Sequence, residues 1–317
     1  MRGCATSTFS EPEAFEVALR QEGCLGLLIT GRGKFGAWLT RVLLHEQRLS
    51  AAEEQLPRIA FVTVPPDMVL ISFALSGGTE PVWGGIRIRP DEIVMLGPGE
   101  SVHVRSDGLY RWGTVWIPSK ALIRYGSALT GASFPISRIG HRWRPRPAAS
   151  RRFRNLHAAA IRMDKVRPQP LIDAEAAHGL EQQLIQAVIE CLIAGSTNAA
   201  HPSARRHQET MVGFERLLRS QPARALLIPE VSAALGVSER LLRSLCAEHL
   251  GMSPTSYGRL RRMSQVRSIL RGGEGNAISV SGAALRNGFR DLGRFAVNYR
   301  GVFGELPSTT LRRRRIG

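Results

Sequence analysis

Lysine is nearly absent from this 317-residue chain, which has only Lys34, Lys120 and Lys165. Cysteine is scarce too: Cys4, Cys24, Cys191 and Cys246 lie far apart, with no CxxC pair. That spacing argues against a zinc finger or ribbon and against a disulfide framework, so reduced thiols and no metal or other cofactor are expected. Long apolar runs are missing as well. The most apolar early stretch, Cys24 to Thr30, is far too short to span a bilayer, and the first twenty residues carry acids without a signal-peptide core. No membrane partner is expected, and the cytoplasm, close to the nucleoid, is the expected location. Acids are outnumbered, 26 against 43 Lys and Arg, for a net charge of +17 and a pI near 11.2. Such an excess suits a polyanion, nucleic acid before an anionic membrane surface. Arginine alone decides little, because GC-rich coding also inflates it.

The length and the 43% hydrophobic content support two packed domains. Residues 20–118 read as β: Lys34–Leu44, Arg58–Val64, Val69–Ala74, Gly85–Ile88, Glu92–Leu96 and Tyr110–Ile117 are short and rich in Val, Ile and aromatics. PPD, SGGTEP, RPDE, GPGE and SDG supply turns between them. Helices follow over Ser119–Leu129, Arg151–Lys165 (ending before Pro168) and Ala174–Ala194, with the basic stretch Arg142–Pro147 as a connector. In the last of these helices Leu180, Leu184, Ala187 and Cys191 form a stripe that fits either a dimer seam or a face packed on its own domain. Residues 196–208 are small and polar and read as a linker. The expected organisation is an α+β multi-domain chain: a β-rich front domain (1–140), a helical connector with a possible dimerisation role (141–203) and an all-α domain (204–317).

The last region holds two similar halves. In Leu227–Leu250, a helix over Pro229–Leu235 stops at Gly236. Val237 then enters the core, and Ser238 caps the next helix. Leu241, Leu242 and Leu245 form that helix's buried side, leaving Arg240, Arg243 and Ser244 outward. In Ile278–Phe303, Val280, Ala283, Ala284 and Leu285 make a first helix and Asn287-Gly288 the turn. Phe289 is the plug, Asp291 the cap, and Phe295, Tyr299 and Phe303 the buried stripe. Arg290, Leu292, Gly293, Arg294, Val297 and Asn298 face outward. A short helix, a glycine turn and a capped helix with polar residues near its start is a shape that fits a major groove. Between the halves, Met252–Arg271 reads as one long helix that could set two readers about one DNA turn apart, roughly 34 Å. Charge agrees: from Arg205 onward there are 20 arginines, no lysine and eight acids, and Arg312–Arg315 close the chain.

LGVSERLLRSLCAEHLGMSPTSYGRLRRMSQVRSIL followed by GFRDLGRFAVNYRGVFGELPS resembles the DNA-binding domain of the AraC/XylS family, over about residues 208–317. The ending is similar to that of ethanolamine-utilisation regulators. The resemblance implies a non-enzymatic transcription regulator, more commonly an activator, with promoter DNA and RNA polymerase as partners. By position it implies base reading by Arg240, Arg243 and Ser244, with Ser238 at the helix start. The second helix would use Leu292, Gly293, Arg294, Val297 and Asn298, with Arg290 and Arg294 mainly holding phosphate. Leu292, Gly293 and Val297 depart from the commoner Gln, Ser and Arg, which weakens direct readout there.

In that family the other domain often receives a small molecule, and many examples are cupin-like barrels. RPDEIVMLGPGESVHVRS resembles the second cupin motif, with Pro98 and Gly99 at its turn and His103 on the next strand. The preceding strands contain no His, so a metal set is incomplete. His103, Tyr110, Trp112 and Trp116 are therefore candidates for an effector pocket, the aromatics alternating onto one strand face. The alternatives are a cupin-type metalloenzyme with a DNA-binding appendage and a nonspecific architectural DNA binder.

Overall fold

The computed structural model describes residues 3–134, 136, 141–166, 174–193, 195–198, 202–272 and 279–314. Pro168, residues 199–201 of the expected linker, Ile278 and Arg315 lie outside them. Eleven strands come first: β1 (Gly3–Phe9), β2 (Cys24–Ile29), β3 (Ala37–Leu43), β4 (Arg48–Glu54), β5 (Arg58–Thr63), β6 (Met68–Ala74), β7 (Val82–Trp83), β8 (Ile86–Arg87), β9 (Ile93–Leu96), β10 (Ser101–Ser106) and β11 (Tyr110–Pro118). Helix α1 (Pro12–Leu19) interrupts them after β1. Next come α2 (Ser119–Thr130), β12 (His141–Arg144), α3 (Pro147–Val166), α4 (Ala174–Ile193) and β13 (Ser196–Asn198).

The strands pair antiparallel into two sheets, β1-β3-β4-β11-β6-β9-β12-β13 and β2-β5-β10-β7-β8, and not into the closed barrel of the cupin-like expectation. The connector is not purely helical either. Its basic stretch forms β12, which pairs with β9 and β13 and buries Trp143, because the edge of β9 offers unpaired backbone groups. β4, with its RLSAAEE sequence, has no strand-like composition. It is held as a strand by pairing on both sides, with β3 and β11, and its buried Ala51 and Ala52 fit close between neighbours.

Strand alternation divides the interior into layers. Along β11, Tyr110, Trp112 and Trp116 enter the core between the sheets, while Val115 and Ile117 point to the opposite face. That face of the large sheet is covered by α2, α3 and α4, through Leu122, Phe153, Leu184 and Val188. The α4 stripe, with Leu184, Ala187 and Cys191 fully buried, packs against this sheet, the second of the two arrangements its spacing fits.

The C-terminal helices are α5 (Pro202–Ser220), α6 (Ile228–Leu235), α7 (Glu239–Leu250), α8 (Pro254–Gly272), α9 (Val280–Arg286), α10 (Leu292–Phe303) and α11 (Pro307–Arg314). The stretch 202–208 is thus helix rather than linker: Pro202 opens α5, and an Arg205–Glu209 ion pair of 3.0 Å spans one of its turns. The outer face of the small sheet is covered by these helices. Leu28 of β2 and Ile59 of β5 share one core with Met211, Phe214, Leu218, Leu242, Leu245 and Tyr257.

Candidate nucleic-acid interface

Each half of the C-terminal region turns its chain in the same way. In the first, Gly236 has φ 65°, and the N–H of Val237 donates to the Ser232 carbonyl at 3.0 Å. In the second, Gly288 has φ 76°, and the Phe289 N–H donates to the Ala284 carbonyl at 3.0 Å. Only glycine takes that left-handed conformation without strain, and a Cβ on Gly288 would also collide with the Ala223 carbonyl oxygen.

The following helices start on side-chain caps. Ser238 Oγ accepts the Leu241 N–H at 3.2 Å, and Asp291 Oδ1 accepts the Arg294 N–H at 2.9 Å. Leu242, Leu245, Cys246 and Leu250 hold α7 down, while Ser238, Arg240, Arg243 and Ser244 are exposed. Arg243 is paired across one turn with Glu239, 2.8 Å, whereas Arg240 has no ion-pair partner among the described residues. Phe295 and Tyr299 bury α10, and Phe289 stacks on Phe295 with centroids 4.8 Å apart. Arg290, Leu292, Gly293, Arg294 and Val297 are exposed and Asn298 is half-buried. The plugs and caps expected from sequence therefore occupy the expected places. Leu285 lies on α9 as expected, with its side chain exposed.

Helix α8 belongs to both halves. Tyr257 and Leu260 pack into the core of the first, and Met263, Val266 and Leu270 into that of the second. Nineteen residues at 1.5 Å make it roughly 28 Å long. The two exposed arginine-bearing helices are thus tied to one rigid element.

His103 is not with the aromatics that sequence reading grouped it with. Val102 and Val104 of β10 face the core between the sheets, so His103, between them, points at the C-terminal helices. Its Nε2 lies 3.2 Å from Glu215 Oε2 on α5, and its ring packs on Phe61 and edge-on to Tyr257. Glu215, 0% exposed, also accepts the Tyr257 hydroxyl at 3.0 Å and pairs with Arg261. Burial alone would raise the Glu215 carboxyl, but the His103 hydrogen bond and the Arg261 charge hold it down at about 2. His249 of α7, buried beside the Gly85 backbone, is pushed down to about 4 by burial and by the nearby His103 and His207. Sequence reading missed this network. Its traces there are His103, assigned to the wrong face, and Glu215, a lone acid in the mostly apolar stretch MVGFERLL.

Tyr110 and Trp112 line an internal cavity of about 40 Å³, room for a few waters. Trp116 donates to Glu22 at 3.3 Å and lies outside that cavity's lining. A larger cavity of about 280 Å³ opens where α5 meets the end of the sandwich; Trp83, Ile86, Ile88 and Val212 give it apolar walls, and Arg142 and Arg205 lie at its margin. Among the described residues no group of three or more His, Cys, Asp or Glu is placed to hold a metal, and no helix is long and apolar enough to cross a membrane.

Two capped helices on one connecting helix, each after a glycine turn, define a double helix-turn-helix protein. Residues 231–313 match the family model described as a helix-turn-helix domain. Among curated proteins, the chain is similar to XylDLEGF operon transcriptional activator 3 of Pseudomonas putida, 35% identical over 121 residues, covering 37% of each chain. It is also similar to XylDLEGF operon transcriptional activator 1 of that organism, 46% identical over 80 residues, 25% of this chain and 24% of the other. A solved structure of a probable AraC family transcriptional regulator from Rhodopseudomonas palustris CGA009 is 31% identical. That match covers 33% of this chain and 97% of the other, with a TM-score of 0.32. The chain thus spans about a quarter to a little over a third of the length of these curated relatives. Its C-terminal domain is of the AraC/XylS type.

Proposed function

We propose that the chain is a sequence-specific transcription regulator, an activator that answers to a small molecule, with residues 204–317 as its DNA-binding domain and 1–203 as its receiving part. The observation that carries this reading is the pair of capped, arginine-bearing helices α7 and α10 joined through α8. Helices so joined can enter successive major grooves on one face of promoter DNA. In this reading Arg240, Arg243 and Ser244 read base edges, Ser238 acts mainly as a cap, and Arg290 and Arg294 hold phosphate. One chain carries both readers, so two boxes need no dimer. RNA polymerase is the partner that activation calls for.

The effector belongs in this reading to the 280 Å³ cavity beside Trp83 rather than beside Tyr110 and Trp112, whose own cavity is too small for an organic ligand, or at Trp116, which lines neither cavity. A ligand there touches the sandwich and α5 together, and would bias how the C-terminal helices sit on the small sheet.

The test is selection of genomic fragments by the purified full-length protein, at moderate salt and against random competitor. Recovery of a few promoter fragments sharing two short boxes about one helical turn apart supports the reading. Equal retention of all fragments, with binding steep in salt alone, replaces it with a nonspecific binder.

A further inference from the structure

We infer that Val297 is a specificity-determining residue of α10, its methyl groups seated against the C5-methyl of a thymine. The inference rests on the DNA-binding reading above and names what one half of the site must contain.

Val297 is an apolar side chain on the solvent side of its helix. At 100° per residue, Val297 lies about 180° from the midpoint of Phe295 and Tyr299, the residues that bury α10. It is 72% exposed, the most exposed of the large hydrophobic residues described. The positions one turn before and after it are Gly293 and Gly301, so no side chain of α10 along that line screens it. Valine is also a poorer helix former than most residues, so local stability gives no reason for it there.

The occupant follows from charge. Arg290, Arg294 and Arg300 surround Val297 on α10 and the residues just before it, and none has an ion-pair partner among the described residues. Arg32, from the loop between β2 and β3, approaches the Gly301 end, its Nη2 3.8 Å from where a Cβ would stand. The only acid on the helix's leading turn, Asp291, is engaged in capping. An apolar protein partner would have to leave these guanidinium groups uncompensated. A DNA major groove supplies phosphates on both rims and, at thymine alone, an apolar group on its floor. The same geometry explains why α10 lacks an amide or guanidinium at this position. It reads a methyl group, while α7, through Arg240, is equipped for the hydrogen-bond acceptors of guanine.

The test uses full-length protein on a site recovered by the fragment selection. Each thymine is replaced in turn by deoxyuridine, which removes only the methyl. Wild-type protein should lose about 4-fold in affinity at one thymine in one box, the value of one buried methyl. Val297→Ala should bind the thymine site with a similar loss and be indifferent to uracil at that position, while retaining wild-type helicity, since alanine is a better helix former. Wild-type indifference at every thymine, or undiminished uracil sensitivity in Val297→Ala, overturns the assignment. Failure to recover any preferred site is a different result, and it overturns the regulator reading on which the assignment depends.

Discussion

Two side chains carry most of the chemistry that is decided residue by residue. Glu215 has no exposed surface and three partners, His103, Tyr257 and Arg261, drawn from both parts of the chain. Removing its charge strands a guanidinium and leaves two polar groups short of an acceptor. Glu215→Ala should therefore cost about 3–5 kcal/mol of unfolding free energy, read from denaturant midpoints at constant m. A loss below about 1 kcal/mol would mean that water reaches the network. Arg240 stands exposed on α7, with no ion-pair partner among the described residues. Arg240→Ala should weaken binding to a selected site by about 1–3 kcal/mol and relax base preference at one position. An equal loss on random DNA would reassign it to phosphate.

At the scale of the element, α7 and α10 owe their starting points to single oxygens on Ser238 and Asp291. Ser238→Ala and Asp291→Ala should each cost about 1 kcal/mol of stability, and Ser238→Gly only a few tenths, because glycine leaves the first N–H groups open to water. Thermal unfolding of the three variants checks this ordering. The caps also aim the helices, so the Ala variants should lose affinity for a specific site beyond their loss of stability. The α4 stripe teaches a different lesson. Its 4-3-4 spacing is the same whether it meets a second copy or its own sheet, and the covering of Ile71 and Phe73 decides for the sheet.

At the scale of the whole molecule, the C-terminal helices form the fourth layer of a stack that begins with α3 and α4. The contact carries a pH dependence. His249, buried in it, titrates near 4 instead of its ordinary 6.5, because burial opposes the charged form. His157, buried under the large sheet, is lowered to about 4 for the same reason. The sign follows: the unfolded chain binds these protons first, so their contribution is fully present above pH 6.5 and is lost as pH falls toward 4. Each shift corresponds to a loss on the order of 3 kcal/mol. Relative to His249→Gln, the wild type should lose that much stability between pH 7.5 and 4, measured by urea titration at each pH. Parallel curves would show that His249 is already solvated.

Much of the C-terminal domain was legible in the residues. Its turns are local devices, glycine in a left-handed conformation and a capping oxygen three residues ahead of the N–H it accepts, and local devices are written within one short segment. The outward positions of α7 and α10 followed from the 3.6-residue period for the same reason. The front half was legible only as strands with turns between them. Which strands pair, that RLSAAEE is a central strand, and that a basic connector extends the sheet all depend on partners dozens of residues away. His103 marks the boundary. Its place on a strand could be read from sequence, but the face it lies on decides whether it looks into the sandwich or out toward α5, and that face is set by the register of β10 on β5. By itself, then, the sequence determined the turns and caps of the two helix-turn-helix units, because each of those devices spans a few residues. The tertiary structure alone decided that the two parts of the chain meet through a buried carboxylate, because Glu215 and His103 are separated by 112 residues and become neighbours only when the small sheet is covered.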